Sequence, residues 1–150
     1  MLKGISPIMS PDLLHVLASM GHGDEIVIAD GNFPSAYMAK RLVRLDGHGV
    51  APILRAILEL CPLDQYVKQP VALMGVVPGD PTVPTIWDEY KQIITAVDEL
   101  FTKNKNAIES SIEMVDRFSF YERAKKAFAV VATGETAIYA NVILKKGVVK

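Results

Sequence analysis

Cysteine is almost absent from the sequence, since Cys61 is the only one among 150 residues. A single thiol excludes an internal disulfide framework and a cysteine-based zinc cage. Cys61 lies between an apolar helical stretch and a proline, so we expect a buried structural thiol and not a nucleophile. The three histidines also lack the close spacing of a zinc motif such as His-Glu-x-x-His. The sequence therefore predicts no metal site.

An excess of charge and a long hydrophobic run are missing as well. The 16 Lys and Arg against 17 Asp and Glu give a net charge of -1, which offers no basic field to a phosphate backbone. No stretch approaches the roughly 20 apolar residues of a membrane span. The N-terminus carries one cation in its first seven residues and does not resemble a signal peptide. We expect a soluble cytoplasmic protein that binds neither nucleic acid nor membrane.

Glycine motifs for nucleotides are absent too. Gly21 and Gly23 precede a predicted strand instead of following one, and the third glycine of a dinucleotide fingerprint is missing. No Gly-x-x-x-x-Gly-Lys sequence is present. Nucleotide chemistry is therefore not predicted.

Apolar residues make up 50% of the chain, slightly more than in an average soluble protein. That surplus fits either a well-filled core or buried subunit interfaces. A chain of this length is sufficient for a core of its own, so we predict one domain over residues 1–150. Strands are predicted at residues 25–30, 41–45, 71–77, 112–115, 128–133 and 141–145.

Helices are predicted between these strands. The first begins at Pro11 with Ser10 as its cap, and others cover residues 50–60 and 118–126. The longest follows Thr85, with an apolar stripe formed by Ile86, Tyr90, Ile93, Val97 and Leu100. Continuously apolar strands need helices on both faces. The pattern predicts a three-layer α/β domain with a parallel or mixed central sheet flanked by helices.

The most informative motif is the segment 21–25, Gly-His-Gly-Asp-Glu. Two glycines let the backbone turn sharply and leave the His22 ring accessible. Histidine suits proton transfer in both directions because its ordinary pKa is near neutrality. From the residues alone, a functional role and a turn or capping role for His22 are equally supported. Asp24 and Glu25 are more typical of solvated charge at the start of a strand.

Further polar residues are candidates for binding. Asp30 follows a predicted strand, at the position where open α/β folds bind ligands, although an Asp before Gly-Asn also organises loops. Tyr139 and Asn141 are two apart at a strand entry, so we expect them to point the same way and to suit sugar hydroxyls. Phe118 and Phe120 are expected in the core. His15 is expected on an exposed helix face and His48 in a loop.

Several segments together resemble the L-fucose mutarotase family, whose relatives include D-ribose pyranase. The pyranase branch has a histidine-type motif in place of Arg-Phe-x-Phe-Tyr-Glu-Arg, so Arg117 and Tyr121 favour the fucose branch. Residues 81–106 are more specific to this sequence and carry less of the resemblance. The matching segments, in chain order, are residues 2–7, 20–25, 117–124 and 134–148.

The resemblance implies an enzyme without a cofactor that interconverts the α and β anomers of an unphosphorylated monosaccharide, most directly L-fucose. It also implies homo-oligomers built from rings, often decamers, with sites near subunit interfaces. The alternatives are pyranose–furanose interconversion of D-ribose-like sugars and a non-catalytic sugar-binding module. In the family, the position matching His22 is the proton donor. The resemblance assigns sugar binding to Asp30, Arg117, Tyr139 and Asn141, with Tyr121 in the matched aromatic motif.

Overall fold

Strands and helices alternate along residues 1–150, all of which are described by a computed structural model. The strands are β1 Glu25–Ala29, β2 Leu42–Leu45, β3 Val71–Met74, β4 Ile112–Val115, β5 Ala129–Thr133 and β6 Val142–Lys145. The helices are α1 Pro11–Ser19, α2 Ser35–Met38, α3 Val50–Leu58, α4 Ile86–Val97, α5 Glu99–Lys103 and α6 Arg117–Lys126.

The six strands form one mixed sheet in the order β2-β5-β1-β6-β3-β4. Only β6 runs antiparallel to its neighbours, β1 and β3, while the remaining pairs are parallel. The carboxyl ends of five strands therefore share one edge with the start of β6, and we call this the carboxyl edge. The opposite edge, which holds the start of β1 and the end of β6, is the amino edge.

Helices cover both faces of the sheet. Residues of β1 alternate between two apolar clusters, with Ile26 and Ile28 in the larger and Val27 and Ala29 in the smaller. The larger cluster contains the buried faces of α1, α3 and α4, and the smaller contains those of α2 and α6. The predicted three-layer α/β architecture with a mixed sheet is confirmed.

The first helix matches its prediction closely. The Ser10 hydroxyl accepts a hydrogen bond from the Leu13 N–H at 3.1 Å, and Pro11 occupies the first helical position. Leu13, Val16 and Leu17 are buried on one face. The helix ends at Ser19, directly before the glycine-flanked turn, and so determines where that turn begins.

The apolar stripe predicted for the longest helix ends at Val97, and its predicted extension to Leu100 is wrong. Buried Asp98 interrupts the helix, because its carboxylate accepts the Leu63 N–H at 2.8 Å and the Leu100 N–H at 3.0 Å. A new helix starts there, which leaves Leu100 exposed and buries Phe101 in its place. Thr85 makes no capping hydrogen bond through its side chain.

Two further differences lie near the carboxyl edge. Strand β3 ends at Met74, so residues 75–77 of the apolar run belong to a loop, where Val77 is exposed. The short helix α2 was not predicted from the sequence. No helix in the structure combines the length and the apolarity that crossing a membrane requires.

Candidate functional site

The predicted site residues lie in two separate places. His22 precedes β1 at the amino edge, whereas Asp30 follows β1 at the carboxyl edge. The five residues of β1 alone cover about 16 Å, at about 3.3 Å per residue. The structure therefore does not bring His22 together with Asp30 in one chain. It does group the other four, Arg117, Tyr121, Tyr139 and Asn141, with Asp30.

Asp30 and Asn141 form a buried reciprocal pair. The Asn141 amide donates to the Asp30 carboxylate at 2.9 Å, and the Asp30 N–H donates to the Asn141 amide oxygen at 2.8 Å. The other carboxylate oxygen accepts the Asn32 N–H at 3.0 Å, so the predicted loop-organising role of Asp30 is confirmed. Burial raises the pKa of Asp30 above its ordinary value, although these hydrogen bonds oppose the shift.

Tyr139 adopts a backbone conformation that the sequence did not predict. Its φ of 59° lies in the left-handed region, and β6 begins only at Val142, so the strand alternation assumed for Tyr139 and Asn141 is wrong. Two long side chains of α4 hold this turn. The Trp87 indole N–H donates to the Tyr139 carbonyl at 2.8 Å, and the Tyr90 hydroxyl donates to the Ala140 carbonyl at 2.7 Å.

The Tyr139 phenol points to the loop after β3. It donates to the Asp80 carboxylate at 2.6 Å and accepts the Val77 N–H at 3.3 Å. The hydrogen bond to Asp80 raises the pKa of Tyr139, while the nearby Arg117 charge acts in the opposite direction. Asp80 is not identifiable from the sequence, because its contact with Tyr139 joins residues 59 apart.

Arg117 and Tyr121 lie four residues apart on α6, whose start is capped by the Asp116 carboxylate through the Ser119 N–H. The Arg117 guanidinium donates to the Tyr121 hydroxyl at 3.1 Å and lies 5.4 Å from the centre of that ring. The Tyr121 ring packs edge-on against Phe33 at 5.5 Å. One cation and one phenol are thus fixed beside the loop that follows β1.

The two phenylalanines of α6 have different environments. Phe120 is fully buried, as predicted, whereas Phe118 is 76% exposed, so its predicted place in the core is wrong. Because the two are two residues apart on a helix, they point to different faces, and only one can face the sheet. The exposed ring adds an apolar surface beside Arg117 at the carboxyl edge.

At the amino edge, His22 has one defined partner. Its Nε2 lies 3.0 Å from the Asp64 carboxylate, and the exposed fractions of the two side chains are 48% and 3%. Tyr66 contacts the imidazole edge-on at 5.5 Å and donates its N–H to the same carboxylate at 3.0 Å. Asp64 was missed because it lies 42 residues away in a segment with no distinctive pattern.

The charge of Asp64 determines the chemistry of this pair. Burial raises the pKa of Asp64, but hydrogen bonds from the Tyr66 N–H and the His22 ring outweigh it and hold the pKa below its ordinary value. An ionised carboxylate only accepts, so Nε2 of His22 carries the hydrogen. In the neutral form of the ring, the free lone pair is then on Nδ1, and the ring is half-exposed.

The residues around His22 form its support. Gly23 has a φ of 83°, and the Asp24 carboxylate accepts the Gly21 N–H at 2.7 Å. Glu25 is bound by Arg123 at 2.7 Å and by Lys145 at 3.5 Å, and its side chain is only 15% exposed. The expectation of solvated charge is therefore wrong for Glu25, which holds the start of β1 to α6.

The remaining candidates lie outside both clusters. His15 and His48 are exposed, as expected, and neither ring makes a hydrogen bond. Cys61 is half-buried, and burial raises the pKa of its thiol, which disfavours the reactive thiolate. No group of three or more His, Cys, Asp and Glu side chains is arranged to hold a metal ion.

Comparison with known proteins identifies relatives over the whole chain. The L-fucose mutarotase of Actinobacillus pleuropneumoniae serotype 5b is 49% identical over 148 residues, covering 99% of this chain and 97% of the relative. The crystal structure of the fucose mutarotase from Streptococcus pneumoniae in complex with L-fucose is 50% identical with a TM-score of 0.89, covering 99% of this chain and 100% of that one.

A more distant relative has a different sugar bound. Bacillus subtilis RbsD complexed with D-ribose is 25% identical with a TM-score of 0.68, and the match covers 100% of both chains. The family model described as the RbsD / FucU transport protein family matches residues 3–149. The chain therefore belongs to the RbsD/FucU family.

Proposed function

We propose that this protein is a cofactor-independent isomerase that interconverts the α and β anomers of unphosphorylated L-fucose. The observation that carries the proposal is the His22–Asp64 pair, a half-exposed imidazole whose Nε2 is held by a buried carboxylate. The names of its relatives at about half identity support the choice of sugar.

The chemistry requires one group that both takes and gives a proton. Opening the cyclic hemiacetal removes a proton from the anomeric hydroxyl and adds one to the ring oxygen, and reclosure after rotation of the aldehyde reverses both transfers. We assign these transfers to Nδ1 of His22. Asp64 holds the tautomer and stabilises the imidazolium that forms, as a carboxylate does behind a catalytic histidine.

The carboxyl-edge residues are assigned to holding the sugar. The buried Asp30–Asn141 pair presents fixed polar atoms to hydroxyls, while Arg117 and Tyr139 provide further hydrogen-bonding groups. Tyr121 offers an aromatic ring to an apolar sugar face. This set contains one carboxylate, one guanidinium and several neutral groups, which suits an uncharged sugar.

One sugar reaches both edges only if two subunits contribute, since β1 separates His22 from Asp30 within a chain. We therefore propose a site in which His22 and Asp64 of one subunit face the carboxyl-edge residues of another. Exposed apolar side chains at the carboxyl edge support a protein contact there, namely Val77, Val83, Phe118 and Ile138.

The assembly that we propose is a homodecamer, as the family resemblance implies, and we propose that it is located in the cytoplasm. Light scattering on the purified protein measures the mass of the assembly. A mass near ten times 16.4 kDa is expected, whereas a stable monomer with full activity would contradict the two-subunit site.

Saturation-transfer NMR tests the function. We expect the wild-type protein to accelerate exchange between the anomers of L-fucose, and His22→Gln to reduce that acceleration by about 100-fold or more. His48→Gln is the matched control, because His48 is exposed and its ring makes no hydrogen bond. Full activity in His22→Gln would contradict the proton-transfer role.

The same spectra separate the two other functions. Acceleration of pyranose–furanose exchange in D-ribose that exceeds the effect on L-fucose would assign the ribose activity. Binding of L-fucose without accelerated exchange would indicate a non-catalytic sugar-binding module. Either result would contradict the proposed function.

A further inference from the structure

The C-terminal segment after β6 contacts both loops that hold the His22–Asp64 pair. We call residues 145–148 the C-terminal brace. On one side, the Gly23 N–H donates to the Lys146 carbonyl at 2.8 Å and the Lys146 N–H donates to the Asp24 carbonyl at 2.9 Å. These two hydrogen bonds attach Gly23 and Asp24, the two residues directly after His22, to the brace.

On the other side, the brace holds the loop that carries Asp64. The Asp64 N–H donates to the Lys145 carbonyl at 3.0 Å, and the Gly147 N–H donates to the Pro62 carbonyl at 2.8 Å. Gln65 and Val148 exchange two further hydrogen bonds at 3.4 Å. His22 and Asp64 are 42 residues apart in sequence, and the brace is bonded to the backbone around both.

The Lys146 ammonium contacts the end of α1, just before His22. Its Nζ donates to the Met20 carbonyl at 2.6 Å and to the Leu17 carbonyl at 3.0 Å. The last carbonyls of a helix lack partners within the helix, and α1 has no basic residue in its own last turn. Lys146 supplies the cation that the end of α1 lacks, two residues before His22.

Gly147 packs directly against the backbone of the Asp64 loop. A Cβ at this position would lie 2.4 Å from the Leu63 carbonyl oxygen and 3.0 Å from the Asp64 Cα. Both neighbours are backbone atoms and cannot swing aside, so any side chain here would displace the loop. The close approach of the brace to the Asp64 loop at this point requires a glycine at residue 147.

We infer that Lys146 and Gly147 are positioning residues, which set the distance between His22 and Asp64 from the two sides of the brace. This inference rests on the proposed function for its effect on rate. Its structural content, the geometry of the ring and the carboxylate, is independent of any sugar.

The first test uses Lys146→Met, which retains the aliphatic stem and removes the ammonium. We expect kcat for anomer exchange to fall about tenfold, because small misplacements of catalytic groups cost up to about 100-fold. KM should change less than about twofold, since sugar binding is assigned to the carboxyl edge. Lys146→Arg should recover part of the rate, and Lys103→Met, on the exposed side of α5, is the matched control.

The second test reads the pair without sugar. The ring nitrogen signals of His22 in ¹⁵N NMR report which nitrogen carries the hydrogen. Wild type should show one tautomer with the hydrogen on Nε2, and Lys146→Met and Gly147→Ala should each show a mixture. Gly147→Ala keeps the Lys146 ammonium and acts from the other side, so it decides the question if Lys146→Met does not fold.

Unchanged ring signals in a folded Lys146→Met or Gly147→Ala protein would overturn the inference. It would also be overturned if kcat falls only because the assembly dissociates, as measured by light scattering. A wild-type protein with the expected ring signals but no mutarotase activity would contradict the proposed function and leave the positioning of His22 intact.

Discussion

The two edges of the sheet differ in how their polar side chains are held. At the amino edge a half-exposed imidazole has one hydrogen-bonding side-chain partner, Asp64, and the loops that carry the two residues are held mainly by backbone hydrogen bonds. At the carboxyl edge, side chains that follow several strands and one side chain of α6 contact one another, and Asp30 and Asn141 are buried. A group that moves protons needs exposure and one fixed partner, whereas groups that hold a sugar need a rigid frame.

The largest effect is expected at the amino edge. His22→Gln keeps a polar side chain of similar size but removes the acid/base group, which contributes about 10²–10⁴-fold to rate in typical enzymes. We expect a loss of kcat within this range with sugar affinity nearly unchanged. Saturation-transfer NMR measures the rate and calorimetry measures the affinity. A large loss of sugar affinity would indicate that His22 binds the sugar and would contradict this expectation.

A smaller loss of kcat is expected for Asp64→Asn. The amide can donate a hydrogen bond to Nε2, which favours the wrong tautomer and leaves Nδ1 protonated. We expect a fall of about 10- to 100-fold in kcat, because a misoriented catalytic group costs up to about 100-fold, with KM little changed. The same NMR exchange assay measures it. Wild-type activity would mean that Asp64 has no role in orienting the ring.

At the carboxyl edge we expect stability to change more. Asn141→Ala removes a donor from the buried Asp30 carboxylate and an acceptor from the Asp30 N–H. Leaving such groups unpaired costs about 1–3 kcal/mol of unfolding free energy. His22→Gln, on a half-exposed side chain, should change it by less than about 1 kcal/mol. Chemical denaturation measures both, and equal losses would remove the contrast between the edges.

The smallest effects are expected in the dependence of stability on pH. The pKa of Asp64 is lowered in the folded state, so its ionised form stabilises the fold above its unfolded value near 3.8, and this stabilisation is lost as pH falls through the folded value. Asp30 has a raised pKa because it is buried. Its charge costs stability at neutral pH, and that cost disappears as pH falls through the raised value.

Denaturation at several pH values, on wild type, Asp64→Asn and Asp30→Asn, checks these signs. The advantage of wild type over Asp64→Asn should shrink on acidification. Wild type should gain relative to Asp30→Asn over the same change. Each effect is limited to about 1.4 kcal/mol for every unit by which a pKa is shifted. Parallel pH profiles for the two variants would contradict the assigned environments.

The sheet was predictable because its strands are mostly short apolar runs bounded by turn residues, as in residues 71–74, which lie between Pro70 and Gly75. The interruption of the helix at Asp98 was not predictable, since it depends on a hydrogen bond from the distant Leu63 N–H to the Asp98 carboxylate. His22 stood out through its two glycines. Its partner Asp64 did not, because sequence spacing contains no information on which loops the C-terminal segment joins.

The separation of the two edges was also hidden in the sequence. His22 and Asp30 flank the same strand and are only eight residues apart in sequence. A strand is an extended backbone that rises about 3.3 Å per residue, so residues at its two ends lie on opposite sides of the domain. The predicted side-chain direction of Tyr139 was wrong for a related reason. Alternation applies only within a strand, and Tyr139, which has a left-handed backbone, lies before β6 begins.

Complementation between two inactive variants tests the two-subunit site most directly. One variant is His22→Gln, and the other combines Arg117→Met with Tyr139→Phe at the carboxyl edge. Each should be inactive alone. Co-assembled in equal amounts, they should regain activity in about a quarter of the sites, where an intact half from each subunit meets. A mixture no more active than its separate components would contradict the account and would place both halves of the site in one chain.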